Sequence, residues 1–500
     1  MENLPEEIIL TILNYFNDTT NVINFSMTSK RNRNLIIKNK EYFTCETKFN
    51  NKFINKIDKL NIIGKLKIDL SNFHNKINKN MFKDVIELNL SDTLNIINTS
   101  MFKNINKLNL SGCYRITDVN MLGNCEELNL SYCYGIKDVS MLGNVEDLNL
   151  TNCKGIIDVS MLGKVKKLNL SHCYNIIDVS NLGNVEDLDL SWCRNITDLS
   201  MLGKVKKLNL YSCSGITDVS MLGEVKKLNL CACYNIRDVS MLGNVEELDL
   251  SYCINISDFR MLTNVKKLYL VKCMIKDVSM LGDCEELNLS GCSIRDVSNL
   301  RKVKKLNLSH CNDVIDVSML GNCEELDISY CYSIKYFGMF KNVKKLNLAF
   351  CKISDVSMLN KVKMLNISGC ESIKDVSMLG DCEVLNLACC NITDVSNLGK
   401  VKKLNLSYCN YVTDVSMLGN CEELNLTDCE ISDVSGLGNV KKLNLSGCIK
   451  IRDVSNLINV EELDLSHCRC MIDLSKLIRC KKLNLNYCEN LTNLCHIFDL

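Results

Sequence analysis

The feature that most constrains this chain is a sequence block about twenty residues long, repeated from about residue 70 to the C-terminus. Its form is seen in Ser131 to Leu150, S-Y-C-Y-G-I-K-D-V-S-M-L-G-N-V-E-D-L-N-L. The last apolar residue of each L-N-L triplet falls at Leu70, Leu90, Leu110 and onward in steps of twenty to Leu270, then at Leu289, Leu308, Ile328, Leu348, Ile367 and on to Leu485. A period of this length belongs to solenoids, where each unit is one coil that buries its apolar face only against its neighbours. One such coil cannot stand alone.

Within a block the apolar positions are Val145, Leu148, Leu150, Cys153, Ile156, Val159 and Leu162. Successive strand side chains point to opposite faces, so Leu148 and Leu150 point inward and Asn149 points out. Each coil therefore adds one parallel strand. After Ile156 the stretch Asp158 to Gly163 (D-V-S-M-L-G) returns the chain along the far side, with Asp158 able to cap a short helical turn and Gly163 able to end it. From Cys273 onward several blocks lose one residue, as in Cys273-Met274-Ile275 against Cys253-Ile254-Asn255-Ile256. A bend after the strand absorbs that deletion without disturbing strand register. The block at 331–340, C-Y-S-I-K-Y-F-G-M-F, drops D-V-S and is expected to distort locally.

This pattern resembles the leucine-rich repeat with Cys at its Asn-or-Cys position, over more than four fifths of the chain. The resemblance implies an α/β repeat solenoid: a leucine-rich-repeat superhelix of about 22 coils over residues 66–488, with a parallel sheet on the concave face and a C-terminal cap at 489–500.

The 31 cysteines invite a disulfide or zinc reading, which their positions oppose. Twenty form a ladder, one per coil, from Cys113, Cys133 and Cys153 through Cys488, at a site that leucine-rich repeats bury. Six more (Cys125, Cys284, Cys323, Cys382, Cys421, Cys480) replace the Val that opens a strand, so Cys serves there as a small apolar residue. Adjacent rungs at a strand spacing of about 4.8 Å approach bridging distance, but an odd total and a reducing compartment favour buried free thiols. No C-x-x-C pair occurs, and no metal or other cofactor is expected. The five histidines (His74, His172, His310, His467, His496) are scattered along the array, and no catalytic constellation stands apart from the repeat. The expectation is a protein without enzymatic activity.

Lys and Arg number 59 and Asp and Glu 59, a balance that argues against nucleic acid or a membrane surface as the main partner. No apolar run reaches membrane-spanning length, and M-E-N-L-P-E-E lacks the basic region and apolar core of a signal peptide. A cytoplasmic location is expected.

Residues 3–37 depart from the repeat. Ile8, Ile9, Ile12, Leu13 and Phe16 fall at helical spacing behind Pro5, Glu6 and Glu7. Asp18-Thr19-Thr20 and Thr28-Ser29 offer caps for two further helices. Leu4-Pro5-Glu6-Glu7-Ile8, Ile12-Leu13 and Met27-Thr28-Ser29-Lys30-Arg31 together resemble an F-box, although Asn32-Arg33 and Asn21-Val22 stand where that family carries an aromatic and an acidic-leucine pair. The resemblance implies a three-helix F-box-like domain at 1–45, followed by a helical linker or N-terminal cap at 46–65. It also implies a Skp1-binding surface of Leu4, Pro5, Ile8, Ile9, Ile12 and Phe25. The alternative for this segment is a plain helical cap on the open end of the solenoid.

An F-box ahead of such repeats resembles the substrate-recognition subunits of Skp1-cullin-F-box ubiquitin ligases. Partners would be a Skp1-like adaptor with its cullin complex and a target protein. The Asn, Ile and Lys richness and the regularity of the blocks resemble versions encoded by giant DNA viruses, which would place the protein in the host cytoplasm. Two other classes remain open: a cytosolic leucine-rich-repeat scaffold with no ligase role, and a surface binder, since D-V-S-M-L-G resembles the D-I-S-x-L turns of internalin-type adhesins.

Outward strand positions divide into constant and variable. Asn or Asp between the paired leucines (Asn129, Asn149, Asn169, Asp189) suggests a polar ladder. Alternating acidic and basic pairs (Glu146-Asp147, Lys166-Lys167, Glu186-Asp187, Lys206-Lys207) suggest register and solubility devices. The residue before each ladder cysteine varies most and is rich in aromatics, which are favoured binding residues. Tyr132, His172, Trp192 and Tyr252 form one candidate target contact zone and Tyr330 and Phe350 a second. Neutral drift between near-identical copies is the competing explanation.

Overall fold

The structure, a computed structural model, describes residues 44–48, 65–71, 85–468, 472–473, 477, 480–488 and 491–492. The chain divides into two units, 1–249 and 250–500. Residues 1–43, with the six expected adaptor contacts, lie outside the described residues.

In the first unit, strands Thr44–Lys48, Lys65–Asp69 and Val85–Asn89 lead into three-residue strands that recur from Lys107–Asn109 to Glu247–Asp249. Neighbours pair in parallel and in register, Leu148 opposite Leu168 and Asn149 opposite Asn169. In the second unit the same ladder runs from Lys267–Tyr269 to Lys482–Asn484, and Ile472–Asp473 pairs with Leu491–Thr492 as a short separate sheet. Among the described residues parallel pairing therefore begins at Thr44, where the sequence suggested the end of a helical domain and then a helical linker. K-L-K-I-D at 65–69 alternates at strand period, and Thr44–Lys48 joins it through backbone pairing.

Each coil packs as the pattern requires. Val145, Leu148, Leu150, Cys153, Ile156, Val159 and Leu162 are all buried, while Asn149 between the leucines stays half-buried on the outer face. On the far side the chain forms a single 3-10 turn, Ser160–Leu162, and all helical segments among the described residues are 3-10 turns of this kind. Asp158 Oδ1 accepts the Ser160 N–H at 2.9 Å, which starts the turn. Gly163 does not end it with a left-handed residue, because its φ is −64°. Its role is close approach: a Cβ there would lie 2.2 Å from the Asn181 carbonyl oxygen of the next coil.

Twenty-residue coils close an extra turn after the ladder cysteine, Ile156 N–H donating to Cys153 O at 3.2 Å. Shortened coils omit that turn, and register survives, Leu268 opposite Leu287 and Leu287 opposite Leu306. The 331–340 block does distort: no 3-10 turn forms there, Tyr336 bridges to Asp316, and Phe340 fills the place that Leu320 holds one coil earlier.

The ladder cysteines are free and nearly all buried, and they do more than fill space. Cys153 Sγ–H donates to Leu130 O at 3.2 Å and Cys311 Sγ–H to Leu289 O at 3.1 Å, each a second donor to a carbonyl that also accepts the N–H of its own turn, Cys133 and Cys292 at 3.1 Å. Burial pushes the Cys133 thiol up to about 12, so these sulfurs are poor nucleophiles.

Candidate protein-interaction surface

The outer surface is built by a tight turn that follows the repeat strands. The Asn149 side chain accepts the Thr151 N–H at 2.9 Å, Cys153 N–H donates to Leu150 O at 3.1 Å, and Asn152 between them takes φ +61°. The third turn residue thus adopts the left-handed conformation that glycine supplies without strain. This residue is the variable position of the sequence. It is Gly at 112, 291, 369 and 447 and something else in seventeen other coils, including Tyr132 (+62°), His172 (+60°), Trp192 (+65°), Tyr252 (+63°), Tyr330 (+59°) and Phe350 (+58°). Bulky side chains rarely accept this backbone, yet here they occupy it coil after coil. The geometry also aims them: each leans over the next coil, so that a Cβ on Gly369 would lie 2.5 Å from the Phe350 ring.

The first unit holds three of the expected contact residues. His172 stacks on Trp192 with ring centroids 5.4 Å apart, and Tyr132 meets Tyr134 edge-on at 6.5 Å. Lys154 links the two groups, its Nζ lying 5.7 Å from the Tyr134 ring and 5.9 Å from that of Tyr174. Tyr174 in turn hydrogen-bonds His172 Nδ1 at 2.8 Å. Arg194 covers Trp192 at 4.8 Å and Tyr211 meets its edge. Tyr252, in the second unit, lies under Lys272, whose Nζ is 5.6 Å from its ring. In the second unit His310, Tyr330 and Phe350 form one continuous stack with centroid spacings of 4.5 and 4.7 Å. Sequence reasoning missed Lys154, Tyr174, Arg194 and Tyr211 as members. For Lys154, Tyr174 and Arg194 the signal was the recurrence of aromatic or basic residues two positions beyond the variable one; Tyr211, one position before Ser212, carried no such signal.

The constant positions have structural roles. The Asn and Asp column builds the turns, and lateral amide bonds occur where an aspartate precedes an asparagine, as in Asn209 Nδ2 to Asp189 Oδ2 at 3.0 Å and Asn347 to Asp327 at 2.9 Å. The charged columns pair across strands, Lys166 with Glu146 at 3.0 Å, Lys206 with Glu186 at 3.0 Å and Lys305 with Glu325 at 2.9 Å. All are solvent-exposed, so each contributes little to stability.

Among the described residues no helix is long and apolar enough to cross a membrane, and no group of three or more His, Cys, Asp or Glu side chains is placed to hold a metal ion.

Residues 1–44 match the F-box domain model and residues 341–360 the Leucine Rich repeat model. No curated protein matches the sequence. Among solved structures, the TLR13–ssRNA13 complex matches with a TM-score of 0.56 at 19% identity, covering 94% of this chain and 78% of that one. The functional domain of InlJ from Listeria monocytogenes, described as including a cysteine ladder, aligns at 23% identity and TM-score 0.41; 56% of this chain is covered and 62% of that one. An internalin, inlF, from the same organism aligns at 19% identity and TM-score 0.30, covering 68% of this chain and 84% of that one. The fold is therefore that of a leucine-rich-repeat solenoid. With an F-box match ahead of it, the chain has the architecture of a protein-interaction module.

Proposed function

We propose that this protein is the substrate-recognition subunit of a Skp1-cullin-F-box ubiquitin ligase. The observation that carries the reading is the order of parts: an F-box match at 1–44 ahead of a repeat array whose outer face is polar and densely ordered. The F-box would bind a Skp1-like adaptor through Leu4, Pro5, Ile8, Ile9, Ile12 and Phe25 and so recruit the cullin complex. The repeats would hold a target protein, with Tyr132, His172 and Trp192 as one contact zone and Tyr252, Tyr330 and Phe350 as contacts in the second unit. Preordered aromatic stacks favour that role, since little side-chain entropy remains to be lost on binding. The chain itself performs no chemistry, and the activity belongs to the cytoplasm, that of a host cell if the gene is viral. A cytosolic scaffold without a ligase role is the second reading, favoured by Asn32-Arg33 and Asn21-Val22 in the F-box match.

The test is affinity capture from cells with the full chain and with His172→Ala/Trp192→Ala and Tyr330→Ala/Phe350→Ala variants. A protein set retained by the full chain, depleted by one pair of substitutions and ubiquitinated on co-expression is the expected result. Equal retention by all three chains, without ubiquitination, would remove both the contact zones and the ligase role.

A further inference from the structure

The charged columns of the second unit are interrupted once. From Glu285 to Lys345 the two columns read Glu285-Glu286, Lys304-Lys305, Glu324-Glu325 and Lys344-Lys345, four acidic and four basic side chains. The four coils from 344 read Lys344-Lys345, Lys363-Met364, Glu383-Val384 and Lys402-Lys403, five lysines and one glutamate. In the column nearest the leucines, Met364 and Val384 sit directly opposite each other on adjacent strands, flanked by Lys345 on one side and Lys403 on the other. Met364 is 44% exposed. Both apolar residues line a groove of about 550 Å³ over the outer face of the sheet, together with Lys345, Asn347, Asn366 and Asn386. The flanking lysines have acidic partners only on their far sides, Lys345 with Glu325 at 3.8 Å and Lys403 with Glu423 at 2.9 Å. Around Met364 and Val384 the charged column residues are Lys345, Lys363, Glu383 and Lys403, a net positive set about an apolar centre, while the far end of the groove carries Glu286, Lys305, Glu325 and Asp327.

We propose that Met364 and Val384 form an anchor site for an extended segment of a partner protein that carries one apolar side chain with a carboxylate two residues away on either side. Charge complementarity selects the acidic flanks, and the spacing selects the sequence separation. Three strand steps of about 4.8 Å place Lys345 and Lys403 about 14 Å apart, and residues four apart in an extended chain span about 13 Å with their side chains on one face. The pattern is therefore acid-x-apolar-x-acid, laid across the strands with the apolar residue over the Met364–Val384 pair. Backbone groups of the segment would meet the amides of the asparagine column. This site rests on the reading that the repeats bind protein, and it supplies a partner chemistry that the aromatic zones do not.

The experiment uses the full chain and three labelled decapeptides with the cores Glu-Ser-Leu-Ser-Glu, Lys-Ser-Leu-Ser-Lys and Glu-Ser-Ser-Ser-Glu, read by fluorescence anisotropy at 50 and 300 mM salt. The variant Met364→Glu/Val384→Glu gives each flanking lysine an adjacent partner, as the repeat does elsewhere, and is expected to fold. The account predicts saturable binding of the acidic-leucine peptide, at least tenfold weaker binding of the other two, and at least tenfold loss in the variant or at high salt. Equal binding of the acidic and basic peptides, or undiminished binding by the variant, would overturn the site. Affinity capture with the same variant separates the two readings. Partners retained equally by both chains would remove this site and leave the protein-binding role standing, whereas no captured partner with either chain would sink that role itself.

Discussion

Replacing Ser212 by glycine is expected to stabilise the first unit locally, although it removes a side chain and adds none. Ser212 sits at φ +57° and takes part in no ring stack, and its N–H donates to Cys231 O at 2.9 Å, a bond that glycine keeps. A left-handed L-residue costs about 1–2 kcal/mol. Glycine returns about 0.4–1 kcal/mol of that through the freedom it adds to the unfolded chain, so a net gain of about 0.5–1 kcal/mol remains. The converse is Gly291→Ser at φ +71°, where a Cβ would meet only the Lys272 stem at 3.0 Å. It should lose about as much. Long repeat arrays do not unfold as one cooperative unit, so the assay is native-state hydrogen exchange at the Cys213 and Cys292 amides, which close the two turns. Protection should rise roughly two- to fivefold in the first variant and fall by a similar factor in the second. A change of the same sign in both would refute the claim that this column is strained.

Further consequences concern the cysteines and the carboxylates. Under native conditions maleimide should label Cys389, an exposed thiol, within minutes, while Cys125 and Cys133, each pushed to about 12 by burial, stay unlabelled until the chain is denatured. Peptide mass spectrometry reads this, and rapid labelling of Cys133 would contradict it. Cys311→Ala should destabilise its coil by about 0.5–1.5 kcal/mol by removing the Sγ–H donor to the Leu289 carbonyl, which keeps the Cys292 N–H at 3.1 Å, with Cys311→Ser losing less; native-state hydrogen exchange compares the two. Backbone and side-chain hydrogen bonds from the following serines hold Asp138, Asp158 and Asp178 below the usual carboxylate range. Their folded value lies below the unfolded one, so their contribution is present above about pH 3.9 and is lost as pH falls through the folded value. Hydrogen-exchange protection factors at the Ser140, Ser160 and Ser180 amides, which donate to these carboxylates, should therefore drop in acid, and Asp→Asn substitution at these positions, which keeps the Oδ1 acceptor, should flatten that drop.

The coil was legible in the sequence because its signals are local and repeated. Leu148, Leu150 and Ile156 declare the buried face by spacing alone, and Asp158 declares the turn it starts. What escaped was information held in backbone conformation and in neighbouring coils. Four glycines share a column with Trp192 and Phe350, which marks a left-handed position, but an aromatic residue there reads more readily as a surface contact than as strain. Gly163 was expected as a helix end, whereas the reason for it lies in Asn181, eighteen residues on. The ladder spacing marks Cys153 as a buried free thiol, and only the structure places the Leu130 carbonyl beside its sulfur. The contact residues divide similarly: His172 with Trp192, and Tyr330 with Phe350, are one coil apart and do meet. Tyr252, in the second unit, meets Lys272.

The account stands most directly on the N-terminal 44 residues. Purified full chain should be titrated with a purified Skp1-like adaptor by calorimetry, beside an Ile8→Asp/Ile12→Asp variant whose strand content is checked by circular dichroism. A one-to-one complex with the full chain, abolished in a variant that keeps its strand signal, is the predicted result. No heat of binding with the well-folded full chain would contradict the ligase role and leave a leucine-rich-repeat binder without an adaptor.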